Sequence, residues 1–123
     1  MISIGNNVFS NYDSMEKITI PSSVVSIGKK AFNKCSKLNE IVFEEPSSLI
    51  SIEEKLFNEC ILIEEITIPS SITSIKTNAF DGCKSLKRIS FNEHSKIQIF
   101  IDYQFSRIET LEEIIIPSSV VSN

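Results

Sequence analysis

The sequence is short of glycine, with three residues in 123. That shortage excludes a phosphate-cradling loop, which depends on several glycines close together. Trp is absent and His94 is the single histidine. The three cysteines, Cys35, Cys60 and Cys83, are an odd number and stand 25 and 23 residues apart. Such spacing fits neither a paired-cysteine zinc pattern nor a disulfide framework. A basic surplus is also missing, since twelve Lys and Arg face sixteen Asp and Glu for a net charge of −4. A chain held by nucleic-acid phosphates would need the opposite balance, so nucleic acid is not an expected partner. No apolar run nears the roughly 18 residues that cross a bilayer. The opening Met1-Ile2-Ser3-Ile4-Gly5 has no basic stretch followed by a long apolar one, so these residues carry no secretory signal and leave the compartment open. What is present, 41% hydrophobic and 23% charged residues, suffices to bury a core and predicts one domain over residues 1–123.

Internal repetition organises that domain. Ile20-Pro21-Ser22 recurs as Ile68-Pro69-Ser70 and Ile116-Pro117-Ser118, 48 residues apart each time, with Ile41-Val42-Phe43 and Ile89-Ser90-Phe91 half-way between. The 48 is two repeats. Phe9, Phe32, Phe57, Phe80 and Phe105 form one column at spacings of 23, 25, 23 and 25. Met15, Leu38, Ile63, Leu86 and Leu111 form a second column, and Tyr12, Cys35, Cys60, Cys83 and Ile108 a third. The longer spacing has a visible source: Glu44-Glu45 and Asn92-Glu93 are inserted after the strand, and His94 takes the place of Pro. Two extra polar residues in a turn widen one loop and leave the stacked columns alone.

Each repeat reads as one flattened coil. Met15-Glu16-Lys17-Ile18-Thr19-Ile20 ends in the apolar–polar alternation of a strand with one buried face, and its counterparts end in similar β-branched triplets. Pro, lacking an N–H, stops the strand and Ser-Ser turns the chain. The returning arc, Val24 to Phe32, is too short and too β-branched for a long helix. It is expected to be a short extended piece followed by a tight or 3₁₀ turn, with Val24, Ile27 and Phe32 pointing inward. One such coil cannot bury both sides alone, so five must stack.

In the order strand, Ile-Pro-Ser-Ser turn, Ile-Gly, Ala-Phe and Cys, the chain resembles the BspA-like leucine-rich repeats, most fully from Met15 to Cys35 and from Ile63 to Cys83. The resemblance extends over essentially all 123 residues. Tyr12 and Ile108 in place of Cys, His94 in place of Pro, and Glu53 and Lys76 where Gly28 stands are departures confined to turns and coil ends. The resemblance implies a mainly β, curved, right-handed leucine-rich-repeat solenoid with one parallel sheet and turns or 3₁₀ pieces opposite. It also implies adhesion or binding of host or extracellular-matrix proteins at a microbial or protist cell surface, or after secretion. An intracellular interaction scaffold of the same fold is the alternative, because fold alone does not select a task.

Chemistry is poorly represented. The cysteine column reads as a buried ladder of small apolar side chains, although a strained bridge between neighbouring coils is geometrically conceivable. His94 falls in a different column from every Cys, so no nucleophile–base pair is expected. Adjacent acids such as Glu64-Glu65 and Glu112-Glu113 point to different places along a strand and fit a solvated face better than an acid–base dyad. No catalytic, metal or cofactor residue is therefore assigned, and the chain is read as non-enzymatic.

The outward strand face is the candidate partner-binding surface. One column there is Lys17, Glu40, Glu65, Arg88, Glu113, beside Glu16, Asn39, Glu64, Lys87, Glu112, and a third is Thr19, Val42, Thr67, Ser90, Ile115. The first two columns hold six acids and three bases, a mildly acidic strip in which Lys87 and Arg88 are flanked by acids. Charge matching that keeps strands in register explains the same pattern without a ligand. The chain begins just before the arc that ends at Phe9 and stops at Val120-Val121-Ser122-Asn123, early in a sixth arc. Neither end has a polar cap, so a slice of a longer array, able to associate end to end, is expected.

Overall fold

A computed structural model describes residues 1–95, 97–99, 105, 108–116 and 121–122. The Pro117-Ser118 turn lies outside the described residues.

Among the described residues eleven short strands make up the walls. On the front stand β2 (Lys17–Ile20), β4 (Glu40–Phe43), β6 (Glu65–Ile68), β8 (Arg88–Phe91) and β10 (Glu113–Ile115). The returning strands are β1 (Ile2–Ile4), β3 (Val24–Ile27), β5 (Ser51–Ile52), β7 (Ser74–Ile75), β9 (Gln98–Ile99) and β11 (Val121–Ser122). All pairing is parallel, β2 with β4 and β6 with β8 and β10 in front, β1 with β3, β5 with β7 and β9 with β11 behind. The β-branched triplets therefore form the front strands, as expected from their alternation. The single sheet anticipated there is divided, since no ladder joins β4 to β6 although they are neighbours.

The division follows the two-residue insertions. Paired strands are 23 residues apart, as in Lys17↔Glu40, Glu65↔Arg88 and Ser51↔Ser74. Strands 25 apart, such as β4 and β6, are unpaired, except that β10 pairs with β8 through Glu113↔Arg88. The inserted residues also tie links together: Glu44 accepts a hydrogen bond from Ser22 N, and Glu45 accepts from Ser70 N and Ser70 Oγ, both at 3.0 Å.

Between Gly28 and Leu38 the arc is a run of tight turns. The amides of Ala31, Asn33, Cys35 and Leu38 donate to the carbonyl three residues back. The amides between them go to the next coil instead, Lys30 to Glu54 O, Phe32 to Leu56 O and Lys34 to Asn58 O. That alternation keeps the turns from merging into a continuous 3₁₀ helix. Left-handed residues accompany it, at Asn11, Lys34, Glu59 and Gly82 (φ 64°, 59°, 57° and 75°) and, four residues earlier, at Asn7, Lys30 and Lys55.

Inside, the predicted columns become stacks. Phe9, Phe32, Phe57 and Phe80 lie ring over ring with centroids 5.5, 5.8 and 5.7 Å apart and planes within 16° of parallel. Phe105 instead meets Phe91 edge to face at 6.4 Å. The Leu and Ile of the second column, from Leu38 to Leu86, are buried beside them. Full burial of one such side chain is worth about 1.5–3 kcal/mol, so the core lies along the stack axis and the front strands are fixed outside it.

Candidate functional site

The strand pleat sorts side chains cleanly. Ile41, Ile66 and Ile89 point into the core, while Lys17, Thr19, Glu40, Val42, Glu65, Thr67, Lys87, Glu113 and Ile115 are exposed and Arg88 and Ser90 half-buried on the front. Ten of the eleven candidates thus fall on one side of the pleat, because residues two apart on a strand project to the same side. Lys87 lies just before β8, outside that alternation, and is exposed next to Arg88.

Charge pairing on this face is uneven. Lys17 Nζ lies 3.6 Å from Glu40 Oε2. Arg88 is held on both sides, its Nη1 donating to Glu65 Oε2 at 2.8 Å and its Nε to Glu113 Oε1 at 2.9 Å. Those carboxylates, Glu65 foremost, raise the guanidinium pKa above its ordinary value. Between the two sets, Glu40 and Glu65 occupy equivalent positions on the unpaired neighbours β4 and β6. The backbone marks the same place. Two amides of one coil share a carbonyl of the coil before at Glu16 O, Glu64 O and Lys87 O, and among the described residues no amide does so at Asn39 O.

A shallow depression of about 940 Å³ opens over this seam, lined by Asn39, Val42, Leu62, Glu64, Glu65 and Arg88 among others. Leu62 was passed over in the outward columns, yet the signal was available. Its counterparts are Ser14, Lys37, Ser85 and Thr110, and those of the adjacent Ile61 are Asp13, Ser36, Lys84 and Glu109. Both side chains are exposed, at 39% for Ile61 and 42% for Leu62.

The thiols are elsewhere. Cys35, Cys60 and Cys83 are free and buried, and each donates its S–H to the preceding coil, to Phe9 O, Phe32 O and Phe57 O at 3.2, 3.0 and 3.0 Å. Burial pushes all three pKa values up from 9.0, that of Cys83 to about 12. A thiol that keeps its proton is a poor nucleophile and metal ligand. Exposed His94 sits in the second inserted link, its amide donating to Asn92 Oδ1. Among the described residues no helix is long and apolar enough to cross a membrane, and no three His, Cys, Asp or Glu side chains form a metal-binding group.

Parallel coils, a stacked aromatic column and a thiol ladder define a leucine-rich-repeat solenoid. The chain belongs to the BspA-type leucine-rich-repeat family, whose model matches residues 2–122 in six copies. Six is also the number of returning strands among the described residues, against five front strands. A leucine-rich cell surface protein of Faecalibacterium prausnitzii is similar at 33% identity and TM-score 0.79 over 92% of this chain. The chain spans 29% of that protein. The T. pallidum leucine-rich repeat protein (22% identity, TM-score 0.66, 99% of this chain and 67% of that one) and the pneumococcal vaccine antigen PcpA (19%, 0.62, 98% and 44%) share the fold. No protein of curated function matches. By family and fold the chain is a repeat module of the protein-interaction kind.

Proposed function

We propose that this chain is a non-enzymatic adhesion module that binds a protein at the cell surface or outside the cell through its open front face. The observation that carries the reading is the row of outward side chains from Lys17 to Ile115 on neighbouring front strands, which pair in parallel except at β4–β6. A rigid apolar stack holds these strands, so the row is offered to a partner with little ordering cost on this side. The relative from Faecalibacterium prausnitzii is a cell surface protein, which supports the surface location. Captured proteins from host extracts, and purified matrix proteins, should bind the immobilised chain and be lost on Thr67→Arg, which places a bulky cation mid-face. Ile50→Ser, on the opposite wall, should leave capture unchanged. A captured set indifferent to Thr67→Arg and lost with Ile50→Ser would move the binding surface off the front.

A further inference from the structure

We propose that the seam between β4 and β6 is the specificity-determining part of this face, and that it takes an extended protein segment carrying an arginine next to an apolar side chain. This rests on the front-face reading above and names the chemistry of its partner.

Three observations converge there. First, the coil carrying β6 departs from the repeat at two adjacent positions, placing Ile61 and Leu62 where the other coils have polar residues, and both are exposed. With Val42, 36% exposed on the neighbouring strand, Leu62 supplies apolar lining to the depression. Second, the lining is acidic in balance: Glu40, Glu64, Glu65 and Glu112 outnumber Lys87 and Arg88, Arg88 is already engaged by two carboxylates, and Glu64 enters no ion pair among the described residues. Third, Asn39 lines the same depression, and its carbonyl receives neither of the two amides that its counterparts Glu16 O, Glu64 O and Lys87 O receive.

The complement of this set is specific. Carboxylates and a carbonyl all accept hydrogen bonds, and a guanidinium brings five N–H groups. It also brings a positive charge to Glu64, which has no ion pair among the described residues, beside Glu40 and Glu65, which have one cation each. An aliphatic side chain beside it on the segment would cover Leu62 and Val42. An extended backbone suits a shallow depression laid across parallel strands, where a globular surface would reach less of the lining. An acidic or purely apolar segment would leave Glu64, which has no ion pair among the described residues, desolvated without a counter-charge, which is costly.

The test uses the full 123-residue chain and a fluorescein-labelled extended peptide with one arginine between two leucines, read by fluorescence anisotropy. Two further peptides replace the arginine by citrulline, its neutral isostere, or the leucines by serine. Each replacement should weaken binding at least fivefold, and raising the salt should weaken only the arginine peptides. Leu62→Ser and Glu64→Gln, both exposed and checked for folding by circular dichroism, should each weaken the parent peptide at least threefold, with Ile50→Ser unchanged. Equal binding of the citrulline peptide, or no binding of the parent at millimolar concentration, overturns the proposal. Amide shifts on peptide addition separate the two readings: citrulline-indifferent binding that still shifts front-strand amides refutes the arginine chemistry alone. Shifts confined to the opposite wall refute the front face as well.

Discussion

The β4–β6 and β8–β10 junctions span the same length of chain, and only the second is hydrogen-bonded. In each, 25 residues separate equivalent positions, Glu40 from Glu65 and Arg88 from Glu113. Each also follows a two-residue insertion, Glu44-Glu45 or Asn92-Glu93. The difference lies in charge. Arg88 meets Glu113 at 2.9 Å across the closed junction, whereas two carboxylates hold the matching places across the open one. Like charges directly opposite on adjacent strands are destabilising. A longer link thus accompanies the open junction as well as the closed one, and opposite charges face each other only across the latter, a correlation that the charge exchanges below test. Inside, likeness between neighbours works the other way: Phe57 gains from lying between Phe32 and Phe80.

The largest way to break this arrangement is from the interior. Coils that lack a front ladder at β4–β6 depend more on the stack, so Phe57→Ala should cost about 3–5 kcal/mol in urea melts. Phe9→Ala should cost clearly less, because Phe9 is only partly buried. Equal losses would contradict a stacked column. Next comes the thiol ladder, which crosses the junctions on the inner side. Cys83 keeps its proton up to about pH 12 when folded, against an ordinary value of 9.0. The folded state then holds more protons than the unfolded one in that window. This contribution is fully present below about pH 9 and is lost as pH rises toward 12, at up to roughly 1.4 kcal/mol per pH unit. Cys83→Ala should flatten the alkaline fall measured by denaturant titration, and an unchanged slope would refute the linkage.

Two smaller changes act on the comparison itself. Arg88→Glu would line up four carboxylates from residue 40 to residue 113 and should lower the urea midpoint, with partial recovery in high salt as the repulsion is screened. A midpoint insensitive to that change would mean that charge does not close β8–β10. Exchanging Lys17→Glu with Glu40→Lys keeps the first ion pair and sets an opposite charge before Glu65. The gain should be about 0.2–1 kcal/mol. Without any gain, the seam would be a product of link length alone.

Much of this was legible because a period in the sequence is a period in space. The Phe column, the thiol column and the outward residues from Lys17 to Ile115 all follow from counting 23 and 25, with strand alternation assigning inside and outside. The split front sheet was not, since column counting treats every junction alike. It takes the insertion at Glu44-Glu45 together with the Glu40/Glu65 neighbours to single out one junction. Ile61-Leu62 stood in plain view as a break in two polar columns, but lies before the strand, where attention to the Ile-x-Ile pattern does not reach. The Phe105 contact with Phe91 depends on side-chain geometry that spacing does not encode.

The alternating amides of the arc have a consequence for how the coils open. Ala31, Asn33 and Cys35 are protected by turns within one coil, while Lys30, Phe32 and Lys34 are protected only by the carbonyls of the next. Amide hydrogen exchange distinguishes local from larger openings. Every second residue from 30 to 35 therefore reports separation of two coils, and the residues between report melting of one turn. A single peptide segment carries two clocks, and their ratio at successive coils maps where along the stack the molecule comes apart first.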